Sequence, residues 1–179
     1  MKGLIFVEFL EMVESKIGAE ATEQLIEESN LPSQGVYTTV GTYEDSEIVS
    51  LVVNLHKKTN IPIPDLLKTF GAYLFNRFVV RYKDMMDHMT SSFDLLKKID
   101  NYIHVEVQKL YPEANLPKFD YEELSENKLK LIYKSNRKMP DLAEGLIAAC
   151  MDHYQENYTI TRNLINEDAS HVEFIIEKE

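Results

Sequence analysis

Apolar residues recur every three or four positions through the first two-thirds of the chain and every second position in parts of the last third. That change of period predicts helices followed by strands. Leu4, Val7, Leu10, Val13 and Ile17, with Ile5 and Phe6 filling in, predict a first helix that Gly18 stops. Ala19 to Ser29 predicts a second, short helix, and Leu31-Pro32-Ser33-Gln34-Gly35 is turn chemistry. Ile48, Leu51, Val52 and Leu55 share one face of a third helix running from Asp45 to Lys57. Pro64-Asp65 suits a first turn, and the helix it opens, to Tyr82, is apolar nearly all round. All-round apolarity implies burial on more than one side, against a core or a ligand.

Residues 84–92 read as a connector, with Ser92 capping one continuous helix from Phe93 to Leu110. Lys128 to Ser135 then begins as strict alternation, the grammar of a strand. Pro140 opens a helix of Asp141 to Tyr154, and Tyr158 to Leu164 and His171 to Ile176 are two further strands. With a segment around Phe119 they predict a four-stranded antiparallel sheet in an α+β fold, an N-terminal helical part packed on a C-terminal part of sheet and helices. No repeat or low-complexity tract divides the chain. We expect a single domain over residues 1–179, with a helical subdomain at about 1–60 and a sheet subdomain at about 65–179.

Composition narrows the function classes. The 179 residues are 44% hydrophobic and 27% charged, the balance of a folded globular chain. Nineteen Lys and Arg against 30 Asp and Glu give a net charge of −11, which argues against a nucleic-acid or anionic-membrane binder. The single cysteine, Cys150, excludes an internal disulfide and any multi-cysteine metal site and reads as a small buried hydrophobe. The N-terminal apolar run is broken by Glu8 and Glu11, so no signal peptide is expected, and no stretch is long enough to span a bilayer. The expected location is the cytoplasm.

Candidate chemistry is sparse. None of the five histidines, His56, His88, His104, His153 and His171, has the spacing of a zinc motif. There is no Gly-x-Ser-x-Gly elbow, and with six glycines no phosphate-cradling loop, so no catalytic residue is assigned. Two features remain. His104 flanks the apolar stripe of Leu96, Ile99, Ile103, Val107 and Leu110, where it is either a satisfied boundary residue or a ligand. Tyr133, Ser135 and Arg137 alternate in an extended segment and would share a face. They are either an exposed strand end or a phenol, a hydroxyl and a guanidinium arranged to hold carboxylates.

Taken in this order, with Met1-Lys2-Gly3-Leu4-Ile5, Phe70-Gly71, Lys109-Leu110-Tyr111-Pro112, Pro117 and Gly145-Leu146-Ile147 around them, these residues carry a resemblance. Over essentially its whole length the chain resembles the haem–nitric oxide/oxygen binding domains, the H-NOX family. It looks most like the stand-alone bacterial nitric oxide sensors, relatives of the haem domain of soluble guanylate cyclase. The hallmark is a helical histidine followed by Tyr-x-Ser-x-Arg.

The resemblance implies one haem b per chain with ferrous iron, placed between the two parts of the fold. His104 would be its proximal ligand, Tyr133, Ser135 and Arg137 would clamp its propionates, and Pro117 would pack against the macrocycle. Oxygen binders of the family carry a distal tyrosine where this chain has Leu142. Ile5, Phe9, Leu74, Phe78 and Leu146 complete an implied distal wall with no hydrogen-bond donor. The resemblance therefore implies a sensor of nitric oxide that also binds carbon monoxide and not dioxygen. It would signal by weakening of the His104–iron bond, to a partner such as a histidine kinase or a cyclic-di-GMP enzyme. The alternatives are an oxygen or redox sensor of the same fold. A haem peroxidase would need a distal acid–base pair that these positions lack.

Overall fold

A computed structural model describes all 179 residues. The chain folds as α1 (Gly3–Ile17), α2 (Ala19–Glu28), α3 (Asp45–Thr59), α4 (Ile63–Arg81), α5 (Lys83–Met86), α6 (Ser92–Lys97), a π-helical turn (Ile99–Ile103), α7 (His104–Leu110), β1 (Lys118–Ser125), β2 (Lys128–Lys134), α8 (Pro140–His153), β3 (Tyr158–Leu164) and β4 (His171–Lys178). The expected α+β architecture is present, with all four strands antiparallel in the order β1-β2-β4-β3. No helix is long and apolar enough to cross a membrane.

Local chemistry explains most boundaries. Asn60 ends α3 in the left-handed conformation at φ 58°, its N–H donating to the His56 carbonyl at 2.7 Å. Prolines stand in the first turns of α4 and α8, where a missing N–H costs nothing. In the sheet, Leu129, Leu131 and Tyr133 of β2 and Val172, Phe174 and Ile176 of β4 are buried on one face. The other face is tied by Lys–carboxylate pairs across the strands, Lys130–Glu122 and Lys134–Asp120 among them.

The expected single helix from Phe93 to Leu110 is instead three pieces. The cap is Ser91, whose Oγ accepts the Asp94 N–H at 3.1 Å, while Ser92 is fully buried and donates to Glu156. After α6 the N–H groups of both Tyr102 and Ile103 reach the Lys98 carbonyl at 3.0 Å, which inserts the π turn directly before His104. Within the expected connector, Lys83 to Met86 form the short helix α5, which buries none of its residues.

Two hydrophobic cores result. Phe6, Phe9, Leu25, Ile48 and Leu51 pack with Leu66, Phe70 and Leu74 of α4. Phe93, Leu96, Leu131, Ile147 and Phe174 pack with Phe75, also of α4. The all-round apolar pattern of α4 thus serves two cores, and the helix belongs to both parts of the fold. It crosses α8 at close range: a Cβ on Gly71 would overlap the Leu142 carbonyl, and one on Gly145 the Lys68 carbonyl. Lys68–Glu144 at 2.5 Å braces this contact, and Arg162–Asp141 at 2.5 Å ties α8 to β3.

The close crossing makes a prediction. Gly145→Ala forces backbone apart from backbone, so it should lower unfolding free energy by about 2 kcal/mol in urea titration, the scale of an overpacked core.

Candidate functional site

Between the two cores lies a cavity of about 300 Å³, within the size range of small-molecule and cofactor sites. Of its 33 lining residues 25 are hydrophobic, so the few polar groups that face it stand out.

His104 is one of them. Its side chain is 17% exposed, and its Nδ1 lies 2.8 Å from Asp100 Oδ1. A carboxylate accepts only, so Nδ1 carries the proton and donates, which leaves the Nε2 lone pair free of any protein partner. The second oxygen of Asp100 accepts the Phe119 N–H at 2.9 Å, fastening the start of β1 to the histidine's support. Burial holds the His104 pKa below its ordinary value, and the opposing pull of Asp100 does not reverse this. The imidazole is therefore neutral at pH 7, the form that ligates metal. Asp100 was not picked out in the sequence, although a carboxylate four residues before the histidine on one helix was a readable signal.

At one end of the cavity stand Tyr133, Ser135 and Arg137. They do not share a strand face as expected: β2 ends at Lys134, and residues 135–138 form a turn closed by Lys138 N–H to the Ser135 carbonyl. The turn still delivers all three. Tyr133 is buried and its hydroxyl oxygen accepts the Met139 N–H at 3.2 Å, so its own O–H is left to donate. Ser135 Oγ likewise accepts from the Arg137 N–H at 3.2 Å. Arg137 gives Nε to Asp45 at 3.0 Å and Nη1 to the Asn115 carbonyl at 2.5 Å, leaving Nη2 uncommitted. Asp45 also meets the Met1 ammonium at 2.8 Å. Burial pushes its carboxyl up, but the Met1 and Arg137 donors outweigh burial and hold it below the ordinary carboxylate range.

The structure places Pro117, Ile5, Leu74, Phe78, Leu142 and Leu146 on the cavity wall as well. Phe9 is not there. It is fully buried one layer behind, edge-on to Phe70 at 5.1 Å between ring centres. Two phenols that sequence reasoning missed, Tyr82 and Tyr111, also line the cavity. Burial first, and the neighbouring Tyr111 second, push the Tyr82 phenol up to about 12, so Tyr82 stays protonated. Cys150 reaches the wall too, and burial raises its thiol far above the thiolate range, so it packs as a hydrophobe.

One neutral imidazole with a free Nε2, an apolar slot, and three uncommitted donors at one end form a donor set that suits a flat apolar macrocycle with one metal and two carboxylates. Haem fits the residues present: His104 would hold the iron, and Tyr133, Ser135 and Arg137 the propionates. The fold and site define a haem-binding domain.

Comparison with known proteins agrees. The family model described as Haem-NO-binding (HNOB) matches residues 2–162, and the chain belongs to this family, whose members are the H-NOX domains. Among solved structures, the Fe(II) unliganded H-NOX protein from K. algicida is 41% identical with a TM-score of 0.94, covering 100% of this chain and 97% of that one. An H-NOX protein from S. oneidensis in the Fe(II)NO state is 33% identical with a TM-score of 0.92, covering 100% and 99%. The H-NOX of Shewanella woodyi in the Fe(II)CO state with IWP-051 bound is 39% identical with a TM-score of 0.86, covering 100% and 95%. No curated protein matches. Domains of this family are sensors that bind haem.

The Met1–Asp45–Arg137 chain yields a prediction. Asp45→Asn removes two ion partners at once and should lower the stability of haem-free protein by about 1 kcal/mol, the discount reflecting a 41% exposed carboxylate. Because the folded-state pKa is depressed, this contribution is present above the ordinary value near 4 and is lost as pH falls through the folded value. Wild type and variant should therefore converge in acid melts once the pH lies below the depressed folded-state value of Asp45.

Proposed function

We propose that the chain senses nitric oxide, also takes carbon monoxide, excludes dioxygen, and reports to a separate signalling protein in the cytoplasm. Ferrous haem b, held by His104, would supply an iron that these gases ligate. The observation that carries the reading is the chemistry of the wall built by α4 and α8: Leu74, Phe78, Leu142 and Leu146 present no hydrogen-bond donor. Dioxygen gains strongly from a donor to its outer atom, and nitric oxide needs little help. The S. oneidensis relative with nitric oxide bound, and one from the same organism with carbon monoxide, support the choice of gases.

His104 is the only imidazole on the cavity, so it is the one side chain through which a change at the iron reaches α7. Through His104, a change in how the iron is held would reach α7 and its packing against the rest of the fold, a local event with a wider readout. A peroxidase reading is disfavoured, because Arg137 is engaged by Asp45 and Asn115 and no second imidazole is present. The partner reading, a histidine kinase or a cyclic-di-GMP enzyme, rests on the family resemblance and on a −11 charge suited to a basic docking face. Oxygen sensing, the second reading, has one observation in its favour, the Tyr82 phenol on the cavity wall.

Purified protein should show a haem Soret band that His104→Gly abolishes and added imidazole restores. In air the ferrous wild type should give no oxygen-dependent Soret shift, and Leu142→Tyr should create one through a single hydrogen bond of about 1.4 kcal/mol, roughly tenfold in affinity. A stable shift in the wild type that Tyr82→Phe removes would establish the oxygen reading instead.

A further inference from the structure

A second cavity of about 400 Å³ lies outside the first. It opens between Arg81 at the end of α4, Lys83 of α5 and His88 just beyond it on one side, and Tyr102 and Glu106 flanking His104 on the other. The two cavities share Tyr82 and Met85, so these side chains are the partition between an apolar interior and a polar, solvent-facing bowl. We propose that this partition is the port through which diatomic gases reach the buried site, with Met85 as its movable leaf. The inference rests on the haem-sensor reading and extends it to a route.

Three observations support the assignment. The segment carrying Met85 is the four-residue helix α5, which buries no residue, whereas α4 and α8 each contribute several to the cores. Local opening free energy follows buried contact, so α5 is, with the π turn and α7, among the softer walls of the cavity. Met85 and Met86 are unbranched thioethers with three rotatable bonds, able to swing aside without leaving a polar group unpaired. The rest of the lining offers no comparable passage: Thr42, Glu113, Asn115 and Arg137 bring polar groups to it, and the ion pairs of Asp45 fasten Arg137 and Met1 there.

A port alters the rates of entry and exit together and leaves the equilibrium where it was. The experiment is carbon monoxide rebinding after flash photolysis of the haem-loaded protein, with Met85→Ala and Met85→Trp compared with wild type. Association should rise about threefold in the first and fall about threefold in the second, dissociation should follow by the same factors, and Kd should hold. Hydrogen exchange on haem-free protein supplies a readout independent of gas binding: amides of residues 83–89 should exchange well before those of residues 66–74. Unchanged association rates in both variants, a change confined to dissociation, or equal protection of the two segments would overturn the port. A wild type without a Soret band, or with one unmoved by carbon monoxide, would overturn the haem-sensor reading and the port with it.

Discussion

A nitrogen lone pair without a hydrogen bond in an apolar cavity costs roughly 1–3 kcal/mol, and the fold is organised to keep His104 Nε2 in that condition. Rotating the ring to satisfy Nε2 would break the 2.8 Å bond from Nδ1 to Asp100. Asp100 cannot follow, because its other oxygen holds the Phe119 N–H. Burial then disfavours the protonated ring more than Asp100 favours it. The imidazole is thereby restricted to one tautomer, one orientation and the neutral state, which are the requirements of a metal ligand. The polar end obeys a parallel rule. Tyr133 and Ser135 spend their acceptor capacity on backbone N–H groups and Arg137 spends two donors on Asp45 and Asn115, so each is fixed while keeping a donor free.

The remainder of the molecule holds those two ends apart at a set distance. α4 and α8 do this through a crossing so close that only glycine fits at positions 71 and 145. Each helix sends side chains into both cores or onto the cavity between them: Leu74 and Phe75 are sequence neighbours packed in different cores, and Leu142 and Ala143 on α8 divide in the same way. A cavity between two separately packed cores is lined on demand without weakening either. It also lets the hydrophobic fraction of the chain serve two purposes, since part of the apolar surface meets the cavity and not other side chains.

How much of this was legible in the sequence follows from the range of the interactions involved. The helices, the four strands and their α+β arrangement rest on local periodicity and turn residues, and they were readable. His104 and the Tyr133, Ser135, Arg137 set were readable as a pair of features, and the family resemblance joined them. What was not readable arose from non-local geometry or from competing local geometries. The π turn before His104 hides inside a good helical pattern, since the apolar stripe tolerates one extra residue per turn. Ser135 and Arg137 alternate as a strand would, yet the strand stops at Lys134 and a turn with Lys138 at φ 55° places them. Phe9 has the spacing of a wall residue, but Phe70 from α4 stands against it, and no sequence pattern reports which of two layers a buried aromatic occupies. The partnership of Asp45 with Met1 and Arg137 joins residues up to 92 positions apart and leaves no local trace.

The division of labour among the helices has a mechanical consequence. α4 and α8 bury residues in the cores, so moving either disrupts packing worth several kcal/mol. The π turn and α7, which carry Asp100 and His104, bury none. Their attachments are lighter: Ile99, Tyr102 and Ile103 pack only partly buried against the sheet core, and Asp100 fastens the π turn to β1 through the Phe119 N–H at 2.9 Å. An element held by directed bonds has few alternative positions and small barriers between them, whereas one held by packing has a single deep well. The residue that would meet the iron thus sits on the part of the fold that can respond to a change in one bond. The residues that would grip the carboxylates sit on a strand end and turn locked to α3 by an ion pair. Under the proposed function, anchoring at one end and compliance at the other would let a change in ligation be taken up by one helix, with the two cores as its fixed frame.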